Sequence, residues 1–322
     1  MSDPGPVTDA PPRLGRARDW VIGTLLLAGL IVAVSLTTGW RTLLAPWREF
    51  GIGEVLALLA LSMLSYLLRA VRVHDFFRPV LQGRFPTVLR LSVLHNGAHN
   101  LRPMRAGEMV CPGLRGRYFG HGVGRATASL VWIRLMDLHF LGLIGLFSLY
   151  LREPSPLWPL AGLLWLIMPV MLLPAGRWLP PLGDGRLGRL RRVVTETAPG
   201  SFSRTARLYL WTGLSWSVKF MAFALVLHHF LPVDLWRVIL GVMGAELSSV
   251  LPIHGVAGSG SYELATVAAL VPLGVSPADA LAGAVNLHIF LLGVTLLLGL
   301  LAFLLPVRSL SVSRAPDARS ND

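Results

Sequence analysis

Apolar residues run almost unbroken through 20–38, 52–71, 126–150, 157–175, 208–231 and 278–305. A helix crosses about 30 Å of hydrocarbon in roughly 20 residues, so each run predicts a full membrane span. Two further regions are apolar but interrupted. Residues 86–101 hold Arg90, His95, Asn96, His99 and Asn100, and the polar run RPMRAGEMVCPGLRGR follows them. The second region has an apolar stretch at 238–251, breakers at Pro252, Gly255, Gly258 and Gly260, and a short helical pattern at 262–275. Each arm falls short of a crossing, so both regions are predicted to be re-entrant helical hairpins. The pattern predicts an all-α polytopic membrane protein with six full spans and two hairpins.

Order and direction add to this. The second and third spans flank a hairpin dipping from one side, and the fifth and sixth flank one dipping from the other. Two triplets of opposite orientation with interrupted helices are the sign of an inverted repeat around a midplane site. Each hairpin carries a Pro, then Gly, then Glu: Pro103, Gly107 and Glu108 in one, Pro252, Gly255, Gly258, Gly260 and Glu263 in the other.

Of the 322 residues, 53% are hydrophobic and only 14% charged, whereas soluble domains carry about a quarter charged residues. This excludes a conventional soluble enzyme, a disordered chain and a disulfide-stapled secreted domain. The one cysteine, Cys111, excludes an intrachain disulfide and a multi-thiolate metal site. The net charge of +12 rests on arginine, since Lys219 is the only lysine. In a membrane protein such a balance belongs to cytoplasmic loops, and no nucleic-acid partner is expected. With a cytoplasmic N-terminus, twenty-two arginines fall inside and four (Arg41, Arg48, Arg152 and Arg237) outside. Making 86–101 a lone crossing would expel the arginine cluster at 177–207, so parity rejects it. The expected organisation is a disordered cytoplasmic arm at 1–19, one transmembrane domain at 20–306 and a disordered cytoplasmic tail at 307–322, in the cytoplasmic membrane. The first span is read as an uncleaved anchor, because its polar leader is long and its apolar run continues past the small residues.

A charge at membrane depth is costly and faces protein or a wet cavity. Arg134 and Asp137, at i and i+3 of the third span, suit an internal ion pair, either structural or on a substrate path. Lys219 has no partner in its own helix; Glu246 or Glu263 is the candidate by elimination. His95 and His99 have i, i+4 spacing, but there is no third ligand and no HExxH, so no metal is assigned. With Asn96 and Asn100 they are better suited to hydrogen bonding backbone left open by the broken hairpin. His139, His228, His229 and His288 read as satisfied core or interface groups.

Two readings stay open for RPMRAGE: Arg102 and Arg105 hold a phosphate head group with Glu108 as a balancing or titrating group, or the segment is a charged positive-inside turn. In GVAGSGSYE, Gly258 and Gly260 either let backbone approach a ligand beside Glu263 or pack helices tightly. There is no P-loop and no GxSxG, so no cofactor and no catalytic residue is assigned.

Three segments in order carry a family resemblance: N-L-R-P-M-R-A-G-E at 100–108, I-R-L-M-D at 133–137 and P-I-H-G-V-A-G-S-G-S-Y-E at 252–263. Together they make the chain, from the second span to the last, resemble the lysylphosphatidylglycerol synthase/flippase transmembrane-domain family of flippase-like integral membrane proteins. The resemblance implies a bundle that moves lipid-linked or aminoacylated phospholipids between leaflets. It implies substrate-binding roles for Arg102, Arg105, Glu108, Asn96, Asn100, Arg134, Asp137, Gly258, Gly260 and Glu263. The soluble synthase domain that follows in two-part relatives is not expected here, nor is lipid aminoacylation by this chain alone. The family's Arg after Gly-Glu is replaced here by Met109-Val110-Cys111-Pro112, and the next arginine is Arg115. The expected partner is a membrane lipid with an anionic or aminoacylated head group, alongside a separate synthase or a second copy of the chain. The alternatives are an intramembrane lipid-modifying enzyme using His95, His99 and Glu108, or a scaffold for a separate synthase.

Overall fold

The computed structural model describes residues 17–78, 83, 85–101, 123–178, 185, 188, 201–248 and 255–305. Arg102, Pro103, Arg105, Glu108, Pro252, the arm before residue 17 and the predicted tail lie outside the described residues, as do the side chains of Ala98 and His99. Regular structure among the described residues is helical: α1 Ala17–Thr37, α2 Trp40–Leu44, α3 Ile52–Phe76, α4 Phe85–Leu101 and α5 Val123–Arg152. The series continues with α6 Leu157–Trp178, α7 Phe202–Phe230, α8 Leu235–Ser248, α9 Ser261–Leu270 and α10 Pro277–Phe303.

Local chemistry sets several starts. Ser276 Oγ accepts from the Asp279 N–H at 3.1 Å, and Pro277 opens α10. Glu54 reaches back to the Gly51 N–H at 3.0 Å to begin α3.

Six stretches are long and apolar enough to cross a membrane: Trp20–Thr37, Ile52–Phe76, Trp132–Arg152, Phe202–Phe230, Val256–Leu273 and Pro277–Phe303. Five fall on predicted spans. The other predicted span, 157–175, is helical as α6, with its apolar stretch over Leu157–Pro169. The difference lies at Val256–Leu273, which the sequence pattern reads as a short hairpin arm. There a 3-10 turn at Val256–Gly258, α9 and a second 3-10 turn at Val271–Leu273 follow one another into one apolar stretch. The glycines deflect the chain without ending the run. The molecule is an all-α, multi-pass membrane protein.

The distribution of polarity fits lipid as solvent. Leu36 is 80% exposed and Leu300 68%, while Ser62, Ser65, Thr212, Ser215, Asn286 and Thr295 are buried between helices. Hydrocarbon gives apolar side chains no reason to hide, so small and hydrogen-bonding residues fill the interfaces. Helix α7 is central and packs on α3, α5, α8 and α10. Its inward residues, among them Trp216, Phe220, Phe223, Val226 and Leu227, share one cluster with Val238 and Val242 of α8 and Leu287 and Phe290 of α10.

Close approach matters most between α8 and α9. A Cβ on Gly244 would lie 2.7 Å from Ala269 Cβ and 2.8 Å from the Ala265 carbonyl oxygen. The 40–49 segment is tied down by Asn286. Its Oδ1 accepts from Trp47 Nε1 at 2.7 Å, and its Nδ2 donates to the Leu43 carbonyl at 3.0 Å.

Candidate functional site

Among the described residues, the buried ion pairs inside this apolar framework fall into two groups. The first surrounds Trp216. On α3, Ser62, Ser65, Arg69 and Arg72 recur at helical spacing and form a polar stripe. On α7, Thr212, Ser215, Trp216 and Lys219 do the same, and the two helices pack together, with Ser65 Oγ donating to the Ser215 carbonyl at 3.3 Å. Arg72 Nη1 donates to Asp137 Oδ1 of α5 at 2.5 Å and to Thr212 Oγ1 at 3.2 Å. Trp216 Nε1 donates to the same Asp137 oxygen at 2.8 Å. Lys219 Nζ lies 2.5 Å from Glu246 Oε2 of α8.

The ring of Trp216 stands between these pairs. Lys219 Nζ is 5.4 Å from its centroid and Arg69 Cζ 5.6 Å, both in cation–π range. Arg72 is 7% exposed, and its buried Nε has no hydrogen-bond partner among the described residues. Among the described residues, three cations therefore meet two carboxylates around one indole.

The second group joins α9 to α10. His288 Nδ1 lies 2.6 Å from Glu263 Oε1, and His288 Nε2 lies 3.0 Å from the Ala257 carbonyl. Glu263 Oε2 accepts from the Gly260 N–H at 2.7 Å, closing a capping box on α9. Tyr262 stacks on the imidazole at 4.4 Å. The turn held here is unusual backbone: Ala257 has φ 53°, Gly258 φ 80° and Gly260 φ 85°. Glycine suits the last two, whereas Ala257 adopts a left-handed conformation against the preference of an L side chain.

The predicted residues sort themselves against this geometry. Asp137 is buried, but its ion pair runs across the bundle to Arg72, while Arg134 lies exposed on the same helix. Asp137 thus turns inward to a partner on another helix, and residue 134 lies on the outward side of α5. Lys219 takes Glu246, one of its two candidates, and Glu263 takes His288. Asn100 Nδ2 donates to Thr295 Oγ1 of α10 at 3.0 Å, and Asn96 is half-buried. Helix α4 also packs on the Val256–Gly258 turn, so the two interrupted regions touch. Gly258 lies against His288, and a Cβ on Gly260 would meet Leu26 of α1 at 2.9 Å. Arg102, Arg105 and Glu108 fall outside the described residues.

By sequence, Arg69 and Arg72 count only among the cytoplasmic arginines around the inner end of the 52–71 span, and neither has a place in the site. The signal was present in their spacing from Ser62 and Ser65. His288 and Tyr262 gave no such signal, since their partners come from elsewhere in the chain.

No curated protein and no solved structure matches the chain. The family model for the lysylphosphatidylglycerol synthase TM region matches residues 20–299. With the helical bundle and the ordered motifs already described, this match places the chain in the lysylphosphatidylglycerol synthase TM region family.

Proposed function

We propose that the protein is a flippase-like transporter that moves a phospholipid or lipid-linked substrate between leaflets of the cytoplasmic membrane, with both termini in the cytoplasm. The charge balance around Trp216 carries this reading. A purely structural ion pair in such a core is readily replaced by packed apolar groups. Here, among the described residues, Arg69, Arg72 and Lys219 exceed Asp137 and Glu246 by one positive charge. The anion a bilayer supplies in quantity is a lipid phosphate, which would complete the balance whether the head group is anionic or aminoacylated.

In this reading α4 and the α8–α9 unit are the two hairpins of an inverted repeat. Asn96 and Asn100 line the route on one, Gly258, Gly260 and Glu263 on the other, and Asp137 with Arg72 braces it. Arg102, Arg105 and Glu108 receive the head group at the cytoplasmic side.

Arg69→Gln tests the reading with least damage, because it removes the surplus charge and keeps both ion pairs. Fluorescent phosphatidylglycerol in phosphatidylcholine/phosphatidylglycerol proteoliposomes is expected to flip about tenfold or more slowly with this variant, the loss of one charge-assisted contact. Equal rates for protein-free vesicles and wild type, with both phosphatidylglycerol and phosphatidylcholine probes, would overturn the assignment.

A further inference from the structure

A carbonyl oxygen only accepts hydrogen bonds, so His288 Nε2, at 3.0 Å from the Ala257 oxygen, carries a proton. The 2.6 Å contact between His288 Nδ1 and Glu263 Oε1 then needs one more proton, on either the ring or the carboxyl. With that proton the pair is neutral as a whole. Without it, two lone pairs face each other at 2.6 Å, and a net negative charge sits where Glu263 is 2% and His288 4% exposed. A second added proton would leave a net positive charge in the same buried place and weaken Glu263 Oε2 as the acceptor of the Gly260 N–H. The closed geometry is best matched by one shared proton.

We propose that Glu263 and His288 form a proton-binding site that holds the Gly255–Gly260 turn closed when loaded and releases it when empty, making the proton the coupling ion of transport. The proposal rests on the transport reading above only for what the release drives. The turn is suited to move. His288 holds it at the Ala257 carbonyl and Glu263 at the Gly260 N–H, and three of its residues have positive φ. Helices α1 and α4 both pack on Val256–Gly258, so its release is felt on two sides.

The ionisable surroundings are sparse. On α9 the only other such group is Tyr262, whose buried hydroxyl has no hydrogen-bond partner. Behind it stands Glu246 of α8, paired with Lys219 of α7. Helix α4 brings Arg90, which donates to the Leu305 carbonyl, and His95. Helix α3 brings Tyr66, directed at Thr295, and α2 brings exposed Arg41. Helix α1 contributes no ionisable group among its described side chains, and α10 offers only Asp279 at its start.

Glu263→Gln gives a direct test. Its amide N–H can donate to His288 Nδ1 while its oxygen still accepts from Gly260, so the variant imitates the loaded site without a removable proton. The full chain is reconstituted in nanodiscs of phosphatidylcholine and phosphatidylglycerol. Hydrogen exchange at the 258–260 amides is followed between pH 6 and about 10, corrected for intrinsic rates. The wild type is expected to lose at least tenfold of its protection as pH rises through loss of the proton. Glu263→Gln is expected to keep its protection throughout.

His288→Gln serves as the second variant, removing the titrating ring and with it the pH dependence. Constant wild-type protection, or the same pH dependence in all three proteins, overturns the proton site. A companion assay loads vesicles with pyranine and follows labelled phosphatidylglycerol under an imposed pH gradient. Lipid movement that carries protons and reverses with the gradient supports coupling. Movement indifferent to the gradient overturns coupling and leaves transport standing. A pH switch in exchange with no lipid movement overturns the transport reading and leaves the proton site standing.

Discussion

Asp137 shows what a single buried charge does in this bundle. It accepts from Arg72 and Trp216, and Arg72 is 7% exposed. Asp137→Ala leaves a guanidinium uncompensated in the core, a loss of about 3–5 kcal/mol. Replacing both partners, as Arg72→Leu with Asp137→Leu, removes the stranded charge and is expected to recover most of that stability. Detergent-phase thermal unfolding should order the proteins as wild type, double variant and Asp137→Ala, with lipid flipping low in both variants. A double variant no more stable than the single one would show that the two charges are not coupled. At this scale the sequence marked which residues are out of place in lipid. It could not say whom they meet: Arg134 is three positions from Asp137, while Arg72 is sixty-five positions away and a neighbour only after folding. Lys219 was the easier case, because few carboxylates remained to answer it.

At the scale of elements, hydropathy located the helices well and their ends less well. Helix α3 runs to Phe76 and α7 begins at Phe202, each beyond its apolar run. The extra turns carry Arg72, Asp75, Arg204 and Arg207, with Arg207 Nε 3.0 Å from Asp75 Oδ2. Polar ends can continue a helix past the hydrocarbon because their side chains reach water or each other. The 255–260 break was legible from its glycines, but its course was not, since an apolar turn and an apolar helix have the same hydropathy. The contact of α8 with α9 depends on one missing side chain. Gly244→Ala places a methyl 2.7 Å from Ala269 Cβ and 2.8 Å from a backbone oxygen, neither of which can rotate away. The expected cost is about 1–3 kcal/mol, the usual range for overpacking. It should appear as a lower unfolding temperature, and Gly244→Ala with Ala269→Gly should recover part of it. Gly53→Ala, with open space around its Cβ position, is the control expected to change little.

For the whole molecule, the distribution of arginine becomes a statement about depth once the spans have a direction. Arg72 lies about 6 Å along the axis from the Phe76 end of α3, and His288 about 16 Å from the Pro277 end of α10, at 1.5 Å per residue. With the N-terminus in the cytoplasm, α3 descends inward and α10 also descends inward. Arg72 then lies towards the cytoplasmic side, while Lys219, eleven residues from the Phe230 end of α7, lies about as far from the outer face as His288. In the proposed transport, a head group from the cytoplasmic leaflet would meet Arg72 first, and Lys219 and the Glu263–His288 pair at greater depth. The orientation behind this order can be measured in a Cys111→Ser background with membrane-impermeant maleimide. Glu153→Cys, exposed between α5 and α6, is expected to label in intact cells. Ser203→Cys, exposed at the start of α7, should label only after permeabilisation. The opposite pattern would invert the protein, put Arg72 towards the outer side, and in the proposed transport require the head group to load from the other leaflet.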